Sequence, residues 1–170
     1  MEFRFYSLQH QQFIECLIKA TTVYYGDNLC SLIVHGSYAR GENKQKSDID
    51  IFIILKQTKL SSKQRNFEFV QKIEAQCGDL AQACYQQGIN TDVSTFILTK
   101  DEATHFNPLY LDMTSHAYVC VDHDGFFANI LNTTRLKMRN WGSQKYQKGN
   151  LWYWQITPNI EPGTVIDYDK

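Results

Sequence analysis

The chain has 170 residues, of which 43% are apolar and 21% charged, and its net charge is −1. That length and balance fit one folded domain with one core, and they disfavour disorder, a membrane-embedded class and a general grip on nucleic acid, which draws on excess positive charge. The five cysteines (Cys16, Cys30, Cys77, Cys84, Cys120) are odd in number and form no CxxC pair, so buried reduced thiols are expected rather than disulfides or a zinc site.

In chain order, the opening MEFRFYSLQHQQF lacks the basic-then-apolar order of a secretory signal, and no apolar run reaches membrane-spanning length. A cytoplasmic location is therefore expected. Ser7 to Tyr25 places Phe13, Leu17, Ile18, Ala20 and Val23 at helical spacing, with Ser7 as a cap and Gly26 as the stop. Leu29 to Val34 and Ile49 to Leu55 are short apolar runs that read as buried strands. Ser61 to Gln87 carries Phe67, Val70, Ile73, Ala75 and Cys77 on a helical pattern broken at Gly78-Asp79, which fits one long helix or two short ones.

Asp92 to Leu98 alternates as a third strand, and Thr99-Lys100-Asp101-Glu102 has capping-box spacing for a helix that must break before Pro108. Leu109 to Ser115 reads as a short helix, Ala117 to Val121 as a fourth strand, and Asp122 to Gly125 as a turn. Phe126 to Trp141 reads as a helix with Phe127, Ile130, Leu131, Leu136 and Met138 on its apolar side. The tail from Lys145 holds Trp152, Tyr153, Trp154, Pro158 and Pro162 without helical period. Its aromatic cluster, with Trp141, suits either a partner interface or a cover over the core. The expected division is residues 1–125 as a catalytic unit and 126–170 as a helix and tail packed on it.

The informative stretch is HGSYARGENKQKSDIDIFI, residues 35–53. A strand runs into Gly36-Ser37, where a missing side chain lets backbone N–H groups approach an anion and the Ser37 hydroxyl can donate to a phosphate oxygen. Ten residues lie between Ser37 and Asp48, and Asp48-Ile49-Asp50 opens the next strand, whose period of two turns both carboxylates to one side. Paired carboxylate oxygens beside phosphates suit Mg²⁺. Arg40, Lys44 and Lys46 lie in the same segment and are candidates to pair with a triphosphate, Arg40 foremost; His35 is read as a structural strand-end residue.

This stretch resembles the nucleotidyltransferase superfamily of DNA polymerase beta, whose signature is Gly-Ser, a spacer of about ten, and Asp-x-Asp. The resemblance implies an α+β fold, a central mixed sheet flanked by helices. It implies ATP lying on Gly36 and Ser37 with help from Arg40, and two Mg²⁺ ions on Asp48, Asp50 and a third acidic residue. Asp92, in NTDVSTFIL, opens a suitable strand for that third role. The chain as a whole is similar to stand-alone minimal nucleotidyltransferases (MNT), commonly paired with a helical HEPN toxin. That likeness implies transfer of AMP to a tyrosine of the toxin partner, with nucleic acid not expected as the direct substrate. An aminoglycoside-type small-molecule acceptor, or an antitoxin acting by binding alone, are the alternatives.

Overall fold

A computed structural model of the protein describes residues 4–149, 151–158 and 168; the part of the tail that carries Pro162 lies outside them. Helix α1, Leu8–Tyr25, starts where Ser7 Oγ accepts from the His10 N–H at 3.1 Å, and ends at Gly26. Strand β1, Leu29–His35, leads into α2, a single turn over Gly36–Ala39, and β2 follows at Ile49–Leu55. The 61–87 region divides into α3, Ser62–Lys72, a 3-10 turn at Glu74–Cys77, and α4, Gly78–Gln86. Strand β3, Val93–Thr99, passes through the anticipated Thr99–Glu102 capping box into α5, Lys100–Thr104. After Pro108 come α6, Leu109–Met113, β4, Tyr118–Asp122, and α7, Phe126–Trp141.

The main sheet has the order β3-β2-β1-β4, with β2 and β3 parallel and the other pairs antiparallel. The expected mixed sheet flanked by helices is thus what the chain forms. Along β2 the period of two splits the side chains: Ile49, Ile51, Ile53 and Leu55 enter a cluster with Phe13, Leu17, Phe69 and Ile73 from α1 and the α3 region. Phe52 and Ile54 enter a second cluster with Tyr110, Phe127 and Leu131 from α6 and α7. Asp122 fastens α7 to this side, because its carboxylate accepts from the N–H groups of Phe127 and Ala128 and from the Ser31 hydroxyl.

Several sequence expectations need correction. Val23, Phe67, Val70 and Leu136, assigned to apolar helix faces, are 73%, 64%, 50% and 58% exposed. In α3 the inward positions belong to Arg65 and Phe69, so a charged side chain holds a place where an apolar one was sought. Four hydrogen bonds hold the Arg65 guanidinium: Nε donates to the Leu60 carbonyl, and Nη1 to the Ile97 carbonyl and Glu102. Its Nη2 completes a fork on Glu102, whose carboxyl is held down at about 2 by these bonds.

The thiol expectation also fails for one pair: Cys16 on α1 and Cys77 in the 3-10 turn are joined as a disulfide across 61 residues of sequence. Cys30 and Cys84 are buried free thiols, and Cys120 is half-buried. The tail forms a hairpin that sequence periodicity did not reveal, β5, Gln144–Lys148, antiparallel to β6, Leu151–Gln155. No helix among the described residues is long and apolar enough to cross a membrane.

Candidate active site

At the end of β1 the chain must reverse within one turn, and Gly36 does so with φ +65, a conformation that disfavours a side chain. Space forbids one as well. A Cβ built on Gly36 would lie 1.9 Å from Asp50 Oδ2, because the antiparallel register sets His35 directly opposite Asp50. The Gly36-Ser37 turn and the carboxylate of the second strand therefore meet at one point. The turn is closed by Arg40 N–H to the Gly36 carbonyl at 3.2 Å and Glu42 N–H to the Ser37 carbonyl at 2.9 Å. The first N–H groups of a helical turn have no carbonyl partner within it, so they remain to be satisfied from outside. Ser37 Oγ is buried with no hydrogen-bond partner among the described groups.

Asp48 is exposed and Asp50 half-buried, with the fully buried Ile49 between them. Burial raises the Asp50 carboxyl to about 6, the Asp48 charge adds to the rise, and Arg40 opposes it. A cation held between the two aspartates would relieve that repulsion. Arg40 lies in the same field: its Nε donates to Glu42 at 2.8 Å, and its charge reaches His35, Asp50 and Asp112. Burial first, then Arg40, lowers His35 to about 4, so its ring is neutral at neutral pH. Lys44 and Lys46 are exposed, in a segment pinned elsewhere by the Asn90 N–H bond to the Gln45 carbonyl at 2.8 Å.

Asp92 stands immediately before β3, and its carbonyl accepts from the Ile49 N–H at 2.9 Å. Its backbone thus touches the segment between Asp48 and Asp50. Its exposed carboxylate is felt by Glu74, whose pKa is raised by burial and then by Asp92. Among the described residues no group of three or more His, Cys, Asp or Glu side chains is gathered as a metal-ready cluster. The structure brings Gly36, Ser37, Arg40, Asp48 and Asp50 together and sets Asp92 beside them through its main chain.

The donor set nevertheless suits Mg²⁺ and a phosphate chain. Two carboxylates supply hard oxygens, one of them resisting ionisation through burial and then its neighbour's charge; an unpartnered hydroxyl and a turn without Cβ lie alongside. A cavity of about 40 Å³ opens at this point, between the α2 turn and α6, lined by His35, Gly36, Arg40, Asp112, Met113 and His116 among others. Larger hollows, about 560 Å³ beside Lys56 and about 320 Å³ beside α7, are lined by other residues.

Two groups at this cavity escaped the sequence reading. Asp112 accepts from Lys145 Nζ at 2.7 Å and from Trp154 Nε1 at 2.9 Å, tying the C-terminal hairpin to α6. Burial opposes ionisation of Asp112, but these two donors outweigh it and hold the carboxyl below the usual range. His116 carries no motif at all. In the sequence Lys145 marked only the start of the tail, and Trp154 was one of its aromatic cluster.

A family profile described as "Polymerase beta, Nucleotidyltransferase" matches residues 18–109, more than half of the chain and all the residues of the turn and carboxylates. None of the curated proteins matches. Among solved structures, the chain is similar to a chain of a toxin–antitoxin crystal structure with AMP-PNP, at 18% identity and a TM-score of 0.47, covering 78% of this chain and 92% of that one. It is similar, at the same identity and score, to a chain of the tri-AMPylated Shewanella oneidensis HEPN toxin in complex with MNT antitoxin, covering 78% of this chain and 88% of that one. At such values these likenesses carry no argument about substrate or partner.

Proposed function

This chain belongs to the polymerase beta nucleotidyltransferase family, and we propose that it transfers AMP from Mg-ATP to a tyrosine hydroxyl of a helical HEPN-type toxin, acting as that toxin's antitoxin. The observation that carries the nucleotidyl transfer is the contact of Asp50 with the space above Gly36, because it brings the glycine turn and one carboxylate of the Asp-x-Asp pair to one point. The choice of ATP and of the toxin tyrosine rests on the resemblance of the signature and chain to minimal nucleotidyltransferases.

In this reading the N–H groups of the α2 turn and the Ser37 hydroxyl donate to oxygens of the triphosphate, and Arg40 offsets its charge. Asp48 and Asp50 hold Mg²⁺, and Asp92, whose backbone already touches Ile49, is the third carboxylate. Bound there, Mg²⁺ supplies positive charge to the phosphates and lowers the pKa of the acceptor hydroxyl. The acceptor oxygen attacks the α-phosphorus, the bond to the bridging oxygen of the β-phosphate breaks, and pyrophosphate leaves. The hydroxyl proton passes to a carboxylate of the trio or to water. His35, held neutral by burial and Arg40, adds no positive charge at neutral pH.

The test is incubation with Mg²⁺ and α-labelled ATP, with and without a co-expressed helical partner, followed by intact mass of both chains. A partner that gains AMP with the wild type and not with Asp48→Ala/Asp50→Ala supports the reading. Complex formation without any adduct, in the presence of Mg-ATP, overturns the proposed acceptor, and label on an aminoglycoside would install the small-molecule alternative.

A further inference from the structure

The C-terminal hairpin reaches the candidate site through a single carboxylate. Lys145 and Trp154 sit opposite each other in its register, both bonded to Asp112, and Asp112 lines the cavity that opens at Gly36 and Arg40. Alternation along the strands puts Lys145, Trp154 and Trp152 on one hairpin face. The Lys145 ammonium lies 5.4 Å from the Trp152 ring centre and 5.5 Å from that of Trp154. Trp152 remains 51% exposed. The other face stacks Tyr146 on Tyr153.

A second, independent feature belongs to the same cavity. His116 Nδ1 is buried and has no hydrogen-bond partner among the described groups, and its ring lines the cavity wall. Buried polar atoms are nearly always satisfied, so an open one facing a hollow marks a place where a ligand atom or a water can bond. On the other side of the α2 turn Tyr38 is buried in the larger apolar cluster and bonded to His10 at 3.0 Å.

The geometry points to a nucleoside subsite at the junction of α6 and the hairpin, in which the Trp152–Lys145–Trp154 face stacks the base and His116 Nδ1 bonds a polar atom of the nucleoside. Asp112 is its positioning residue, since it holds both Lys145 and Trp154 at the cavity rim. The inference rests on the proposed binding of a nucleoside triphosphate and extends it to the half of the ligand that the signature motif does not describe. A cavity of about 40 Å³ is too small for a base, so the base lies over the rim against the indoles, with His116 beneath. Stacking of this kind tolerates every base and adds affinity without selecting among them.

Calorimetric titration with two probes in Mg²⁺, ATP and inorganic tripolyphosphate, separates the two halves of the ligand. Trp154→Ala is expected to weaken ATP binding roughly tenfold to a hundredfold and leave tripolyphosphate unchanged. Asp112→Ala should move ATP in the same direction, and Trp154→Phe, which keeps a ring but loses the bond to Asp112, should recover only part of the loss. Equal loss for both probes would mean that the hairpin only supports the fold, and an unchanged ATP affinity in Trp154→Ala, Trp152→Ala and Asp112→Ala would remove the subsite; either result overturns the inference. Wild-type protein that binds neither probe, or binds both regardless of Asp48→Asn/Asp50→Asn, would instead overturn the nucleotide reading on which it rests.

Discussion

On one face of the central sheet β2 presents Ile49, Ile51, Ile53 and Leu55, excluded from water beneath α1 and the α3 region; on the other the same strand presents Asp50, then Phe52 and Ile54. The first face is closed along its whole length. The second is closed only from Phe52 onward, and at its open end stand the carboxylates, the glycine turn and Arg40. One seven-residue strand thus serves both a core and a candidate site, because its period of two lets a polar residue change one face without disturbing the other. The open end carries a cost that the closed face does not, since Asp50 is raised to about 6 by burial and by Asp48.

The largest expected effect comes from removing that charge. Asp48→Asn/Asp50→Asn should lower nucleotidyl transfer by roughly a thousandfold or more, the loss of several kcal/mol of transition-state stabilisation. Its stability should move the other way. The folded chain holds the Asp50 proton more tightly than the unfolded one, so the fold loses stability as pH rises from 3.8 towards about 6 and carries the full penalty above that. Urea melts in chelator at neutral pH should therefore show Asp50→Asn about 1 kcal/mol more stable than wild type, allowing for its partial exposure.

Breaking the closed face gives the converse result. Phe69→Ala removes a fully buried ring beneath that face and should cost about 3–5 kcal/mol in a denaturant melt, while the protein that remains folded keeps its affinity for Mg-ATP. Gly36→Ala tests the join between turn and carboxylate. The new Cβ must push Asp50 aside, and transfer should fall roughly a hundredfold with a smaller change in melting midpoint.

Glu102→Gln should cost about 1 kcal/mol at neutral pH, given that Glu102 is 45% exposed. A folded pKa held at about 2 means this contribution is complete above 4.5 and is lost as pH falls towards 2, so the melting curves of the two proteins should converge on the acid side. The smallest effect belongs to Val23→Ser, on the exposed side of α1: within about 0.5 kcal/mol of wild type, a direct check on which stripe of that helix is buried.

Local chemistry explains what was legible in the sequence. Ser7, Gly26, Thr99 and Glu102 delimit helices through bonds between near neighbours, and the ends of α1 and the start of α5 follow from them. The spacing of Gly36, Ser37, Asp48 and Asp50 was equally local, since two strands and a short connection are enough to bring them together. What was missed depends on distant partners. Arg65 occupies an inward position only because Glu102 and two carbonyls wait there, and that shifts the apparent apolar phase of α3 away from Phe67 and Val70. Cys16 meets Cys77 through the packing of α1 on the 3-10 turn, which cysteine counting cannot register. Asp112, at the end of α6, meets Lys145 and Trp154 from the hairpin, at sequence separations of 33 and 42.

The filled space above Gly36 also bears on how the chain acquires its site. With His35 opposite Asp50, zipping β1 against β2 in the native ladder delivers the carboxylate to the glycine turn with no later docking step. A slip of one residue would send Asp50 into the isoleucine layer and bring Ile51 up against the turn. Such a slipped hairpin would be both poorly packed and without the turn-carboxylate join, so an assay of nucleotide binding during refolding would double as a clock for strand alignment.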